Sequence, residues 1–237
     1  MTGARIRWGR WATLALGCLA LFGGQLVALA TLVWWQNLSL PHWSDLVVDG
    51  RLVTLTVYIG TTIQILVLVL LASRTAGGFV HYLGLTLPRV RDLVQGFVAI
   101  AFFMLIADLI GKTFGHEDVT QFQLDIYRTA RETGWVGLLC VALVVVGPIG
   151  EETLFRGFLF SGWYRSPADT WPVIIVTAFL WAIVHVQYDL YLIVQIFIYG
   201  LVLGWVRWKS GSTILTMLLH GVVNLGGVIE TLLAIRN

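Results

Sequence analysis

The sequence predicts an all-α polytopic membrane protein, with about seven membrane-spanning helices, or eight, around an intramembrane polar cavity. Three observations carry this. The 237 residues are 58% hydrophobic and only 12% charged, half the charge of a soluble domain, which is about 25%. The mean hydropathy is +0.84. The apolar residues also fall into long runs separated by short polar connections, as hydrocarbon spans of about 20 residues require.

The first run, Trp11 to Trp35, follows Arg5, Arg7 and Arg10. Ala28-Leu29-Ala30 resembles a signal cleavage site. The run nevertheless continues to Trp34 and Trp35, so it reads as a retained span with interfacial anchors. The second run is Leu52 to Ala72, followed by a connection from Ser73 to Arg91. Within that connection Phe79 to Leu87 is apolar, too short to span, and ends at Pro88; it reads as an interfacial piece. Leu93 to Ile110 is the third run. The polar stretch Gly111 to Thr133 then holds a candidate amphipathic helix, Gln121 to Arg131.

The fourth run starts near Trp135, passes Gly147-Pro148-Ile149-Gly150 and Glu151-Glu152-Thr153-Leu154-Phe155-Arg156, and ends near Tyr164. Pro148 predicts a kink or restart there. Trp171 to Val186, Leu190 to Val206 and Ser212 to Ala234 complete the set. Gly200 and Gly204 give the sixth run a small-xxx-small face for close packing. The two cysteines, Cys18 and Cys140, lie inside apolar runs without ligand spacing and read as small hydrophobic side chains.

Arg5, Arg7, Arg10, Arg74, Arg89, Arg91, Arg165, Arg207 and Lys209 fall on one side if every run crosses once. Asp45, Asp49 and the mixed 111–133 connection fall on the other. The positive-inside rule then predicts a cytoplasmic amino terminus. A net charge of +2, with the arginines in connections, gives no face for nucleic acid.

The informative residues are polar ones inside apolar runs. A charge at a helix centre costs about 2.5–3.5 kcal/mol on insertion scales, so Glu151, Glu152 and Arg156 must be paired or line a wet cavity. Glu152 and Arg156 are i,i+4 and can pair along one face. Glu151 lies about 100° round the helix and needs a partner elsewhere. His185 ends the fifth run, and His220 and Asn224 are i,i+4 on the seventh. Measured from the arginine-rich helix ends at about 1.5 Å per residue, Glu151, His185, His220 and Asn224 all lie roughly 15–22 Å deep. Four functional groups from three spans thus converge on one level.

Taken singly, each has an ordinary structural reading: an ion cluster fixing helix packing, a satisfied histidine, an interhelical hydrogen bond. Together they are the parts of amide hydrolysis by an activated water. A carboxylate with a neighbouring imidazole can deprotonate water. A second imidazole and a carboxamide can donate to an oxyanion. Two His and one Glu could also hold zinc. Asn224 is a poor zinc ligand and a good oxyanion donor, which favours the metal-free version, with no cofactor. No HExxH or Gly-x-Ser-x-Gly motif is present.

At these residues the sequence resembles the CAAX protease and bacteriocin-processing family of intramembrane endopeptidases, which includes the Ras-converting type. The motifs are Glu151-Glu152-Thr-Leu-Phe-Arg156, Trp181-Ala-Ile-Val-His185 and His220-Gly-Val-Val-Asn224, in order on membrane helices. Trp181 stands where the family pattern has Phe. The resemblance runs from about Trp135 to Leu225. It implies that Glu151 with His185 activates the water, that His220 and Asn224 stabilise the oxyanion, and that Glu152 and Arg156 support them. It divides the chain into residues 1–133, an amino-terminal region of three spans with interfacial segments, and 134–237, a catalytic core.

The leading reading is therefore an intramembrane endopeptidase acting on a peptide or membrane-protein substrate. The alternative is a non-proteolytic binding, immunity or scaffolding protein using the same cavity, since fold does not settle function. A proton-coupled transporter fits less well, because no internal repeat is visible. The short loops point to a prokaryotic cell membrane. Nothing in the sequence sets the oligomeric state or the substrate's identity.

Overall fold

The computed structural model describes residues 7–36, 48–116 and 119–236, with only the backbone of Trp35 and Gln36. Arg5 and Asp45, used above for orientation, and the Trp35 side chain lie outside the described residues. All regular structure among the described residues is helical: α1 (Arg10–Gln36), α2 (Gly50–Ser73), the short α3 (Gly78–Tyr82), α4 (Val90–Phe114), α5 (Gln121–Glu132), α6 (Val136–Trp163), α7 (Thr170–Ile183), α8 (Leu190–Ser210) and α9 (Thr213–Ala234). Six of these, α1, α2, α4, α6, α8 and α9, are long and apolar enough to cross a bilayer. The chain is an integral membrane protein.

The helix boundaries follow from capping side chains. Asp49 accepts from the backbone N–H of Arg51 and Leu52 to start α2, and Asp189 and Ser212 accept from Leu192 and Leu215 to start α8 and α9. Thr120 and Gln123 form a capping box on α5, which satisfies two orphan donors reciprocally. Gly211, at φ 68°, ends α8 in the left-handed conformation glycine adopts without strain.

Three runs differ from their sequence reading. The fifth is a helix of 14 residues, and His185 sits in the turn after it. That helix is about 21 Å long, shorter than a hydrocarbon core of about 30 Å. Phe79 to Leu87 is only partly helical, and Leu83 is fully buried. Its backbone is held by the start of α9, where the hydroxyls of Ser212 and Thr213 donate to the carbonyls of Thr86 and Leu83. Pro148 does not break α6. The helix continues through two wide-turned π segments, Ala142–Val146 and Thr153–Leu159, which absorb the misfit of a proline by shifting the hydrogen-bond register.

Close helix contacts depend on small residues. Gly200 and Gly204 of α8 pack on Ala178 and Ile174 of α7; a Cβ at Gly200 would meet the Ala178 Cβ at 2.9 Å and the Trp181 ring at 3.1 Å. Gly150 of α6 rests on Thr61 of α2. One large core gathers Ala20, Leu68 and Ala72 from α1 and α2 with Leu154, Phe158 and Leu159 of α6, Trp181, and Leu203, Leu215 and Leu219 of α8 and α9. The two halves of the chain therefore share one core.

The bundle has two distinct ends. At one, Arg10 pairs with Asp169 at 2.5 Å, and Arg165 donates to the Trp8 carbonyl. The loop before α4 lies on the start of α9 at this same end. Its described charges are eight Arg and Lys against Asp92 and Asp169. At the other end Thr129 of α5 donates to the Val48 carbonyl, Phe122 meets Tyr188 edge-on, and His116 stacks on Tyr191 at 3.8 Å.

Candidate active site

Glu151 and Glu152 are neighbours on α6 with opposite surroundings. Glu152 and Arg156 are both 0% exposed and pair at 2.8 Å, Nη1 to Oε1. The pairing rests on the i,i+4 relation read from the sequence, and Arg156 is held on two further sides. Its Nη2 donates to the Gly200 carbonyl at 3.1 Å, and its guanidinium lies 4.6 Å from the Trp181 ring. Such a pair persists away from water only with this kind of additional bonding.

The Glu152 carboxylate has a second role. Its Oε1 lies 3.0 Å from His220 Nδ1, and both groups are buried. A carboxylate only accepts, so Nδ1 carries the hydrogen. The His220 tautomer is thereby set, with Nε2 turned away from Glu152. Glu152 links Arg156 on its own helix to a histidine 68 residues later.

Glu151 is 31% exposed, and His185 is 19% exposed. His185 Nε2 stands 3.9 Å from Glu151 Oε2, beyond direct hydrogen bonding and within reach of a shared water. His185 Nδ1 lies 2.8 Å from the Trp181 carbonyl. A carbonyl cannot donate, so Nδ1–H is the donor, and the neutral ring presents an Nε2 lone pair toward Glu151. Two acceptors thus face one gap.

Trp181 sits between these groups. Its indole N–H donates to Glu151 Oε2 at 2.5 Å. Its ring meets His185 and His220 edge-on at 5.4 and 5.1 Å, and packs on Tyr199 at 5.6 Å. The sequence reading treated Trp181 as a packing aromatic in place of Phe; the extra N–H is the signal it left unused.

Asn224 is occupied on one side. Its Nδ2 donates to the Leu143 carbonyl at 2.8 Å. That carbonyl is available because the Gly147 N–H reaches back to Ala142. In this register the next donor, at position 148, would serve Leu143, and Pro148 has none. One amide hydrogen of the half-buried Asn224 remains.

Two more residues bear on the site. Gln64, buried in α2, donates to the Gly150 carbonyl at 2.8 Å, next to Glu151. It was visible as the one carboxamide in an apolar run. Tyr188 lies in the turn after His185, 6.4 Å from it ring to ring.

The structure therefore brings Glu151, His185, Glu152, His220 and Arg156 around Trp181, and sets Asn224 against the π segment of α6. Among the described residues no three His, Cys, Asp or Glu side chains are gathered as a metal site would need; the Glu151–His185 and Glu152–His220 pairs stand apart.

Residues 133–226 match the model of the family described as type II CAAX prenyl endopeptidase Rce1-like. This stretch is similar to the Rce1-like family. It coincides with the three motifs, and the family is one of peptidases. A protein of Escherichia coli, described as an uncharacterized 24.3 kDa protein, is 32% identical over 85 residues, which is 35% of this chain and 39% of that one. The match therefore spans well under half of that relative. No solved structure matches the chain. The matched stretch does not stand alone in the fold, since Gln64 of α2 and the shared core reach it from outside.

Proposed function

We propose that the chain is an intramembrane endopeptidase of the glutamate type, in which Glu151 and His185 activate the attacking water. The observation that carries this is the pair of acceptors facing each other across 3.9 Å. A water between them donates one proton to Glu151 and one to Nε2 of His185. Its lone pair is then free to attack a carbonyl, and one of the two acceptors takes the proton as the bond forms. The proton passes on to the leaving amine.

The oxyanion that develops needs donors. The remaining amide hydrogen of Asn224 supplies one. His220 supplies another through Nε2, and because Nδ1 already holds a proton against Glu152, this requires the imidazolium. Glu152 and Arg156 support that state by orienting the ring. The amino terminus is cytoplasmic on this reading, because the arginine-rich end of the bundle belongs inside. The bonds cut belong to peptides or membrane proteins.

The set works without a metal. Exhaustive chelation of purified protein is expected to leave its activity in place. Activity lost with the metal and regained on adding stoichiometric zinc would replace this mechanism and keep the peptidase assignment.

The direct test compares membranes from cells making the wild type and the Glu151→Gln variant at equal levels. New protein termini should arise with the wild type alone. Identical termini in both would favour a binding role, since a scaffold tolerates this near-isosteric change.

A further inference from the structure

We infer that water and substrate reach the site from the end of the bundle opposite the arginine-rich end, so that the bonds cut lie in peptide segments on the non-cytoplasmic side. The inference rests on the peptidase reading and on the orientation proposed with it.

Burial along α6 changes sharply at the motif. The nine residues from Glu152 to Phe160 are all buried, and Leu154, Phe155, Phe158 and Leu159 belong to the core. At the arginine-rich end of this plug Arg207 donates to the Arg156 carbonyl at 3.0 Å and lies over Phe160. Toward that end there is packed protein.

Toward the other end the side chains open. Glu151, Gly147, Leu143, His185, Tyr188 and Asn224 are partly exposed, and Gln187 is exposed. The opening is not to lipid. The lipid stripe of α6 is Leu138, Val141, Val145 and Ile149, and Glu151 lies about 200° round the helix from Ile149. It faces inward, toward the turn that follows α7.

That turn explains the water. Because α7 has only 14 residues, the irregular backbone of 184–189 begins short of the full hydrocarbon thickness. Irregular backbone at such depth is tolerated only when buried in protein or lining a wet cavity. Here it carries exposed Gln187 and Asp189 and places His185 and Tyr188 at the site.

The substrates that fit are exported peptides and the outward-facing segments of membrane proteins. A prenylated tail held at the cytoplasmic leaflet presents its bonds at the closed end.

The test is cysteine accessibility in the full chain, with Cys18 and Cys140 replaced by Ala. Glu151→Cys and, as a second probe, His185→Cys are compared with Gln187→Cys at the open end and Ser166→Cys at the arginine-rich end. The probe is a charged, membrane-impermeant maleimide applied to intact cells and to inverted vesicles. Both site variants should react in intact cells together with Gln187→Cys and lose that labelling in inverted vesicles, where Ser166→Cys gains it. Reaction of the site variants only from the side that labels Ser166→Cys, reaction from neither side, or reaction of Ser166→Cys in intact cells would each overturn the inference. Labelling needs no catalysis, so failure of the peptidase reading would show separately, as a wild type that cleaves nothing.

Discussion

The indole N–H of Trp181 donates to Glu151 Oε2 at 2.5 Å, while the Trp181 carbonyl accepts from His185 Nδ1 at 2.8 Å. One residue thus orients both groups proposed to activate water, the first through its side chain and the second through its backbone. A Phe at this position supplies the ring and the carbonyl but not the N–H.

Trp181→Phe should therefore fold and keep the edge-on contacts with both imidazoles, yet leave Glu151 free to turn. A hydrogen bond to a charged group is worth about 1.5–3 kcal/mol, so the rate should fall roughly tenfold to a hundredfold. The loss should appear in kcat with KM little changed. Steady-state kinetics in lipid nanodiscs would check it, and an unchanged kcat would remove the positioning role.

Arg156→Met leaves the buried Glu152 carboxylate without its guanidinium and with His220 Nδ1–H as its remaining partner. Breaking such a pair from one side costs about 3–5 kcal/mol, so folded protein should be largely lost. Adding Glu152→Gln removes the stranded charge and should recover much of the stability. Activity should stay low in the double variant, because the charge that supports the His220 imidazolium is gone. Thermal unfolding and activity measured side by side would separate the two effects.

Pro148 and Asn224 should be coupled. Asn224→Ala removes the side-chain donor to the half-buried Leu143 carbonyl, a loss of about 0.5–1.5 kcal/mol for such a hydrogen bond. Pro148→Ala restores a backbone donor near that carbonyl, so the same Asn224→Ala change should cost less stability in its background. If Asn224 also serves the oxyanion, its loss should still lower kcat about 10²–10³-fold in both backgrounds. A double-mutant cycle on stability and on kcat reads both roles.

His220 and Gln64 should separate a catalytic from a structural role. His220→Ala removes one proposed oxyanion donor, so kcat should fall about 10²–10³-fold with KM little changed. Gln64→Leu removes the side-chain bond to the Gly150 carbonyl, which keeps its backbone donor from Thr153; stability should fall by about 0.5–1.5 kcal/mol while kcat holds. An unchanged kcat in His220→Ala would remove the donor role.

The helical membrane class was legible in the sequence because hydrocarbon imposes length and composition on every span. The Glu152–Arg156 pair was legible because i,i+4 neighbours meet on any helix, and the level of the polar groups followed from counting residues. Partner choice was not. Glu152 bonds to His220 and Gln64 to Gly150 across 68 and 86 residues, and such contacts depend on which helix faces which. The roles of Pro148 and Trp181 also needed tertiary structure. A proline that breaks one helix can, in a π register, hand a carbonyl to a neighbouring asparagine, and an aromatic one turn before a histidine becomes a hydrogen-bond donor only when a carboxylate from another helix is packed against it. Sequence alone determined which chemical groups fall within the apolar runs. Packing decided their partners and tautomers, because those depend on angles and distances between helices that no periodicity along the chain contains.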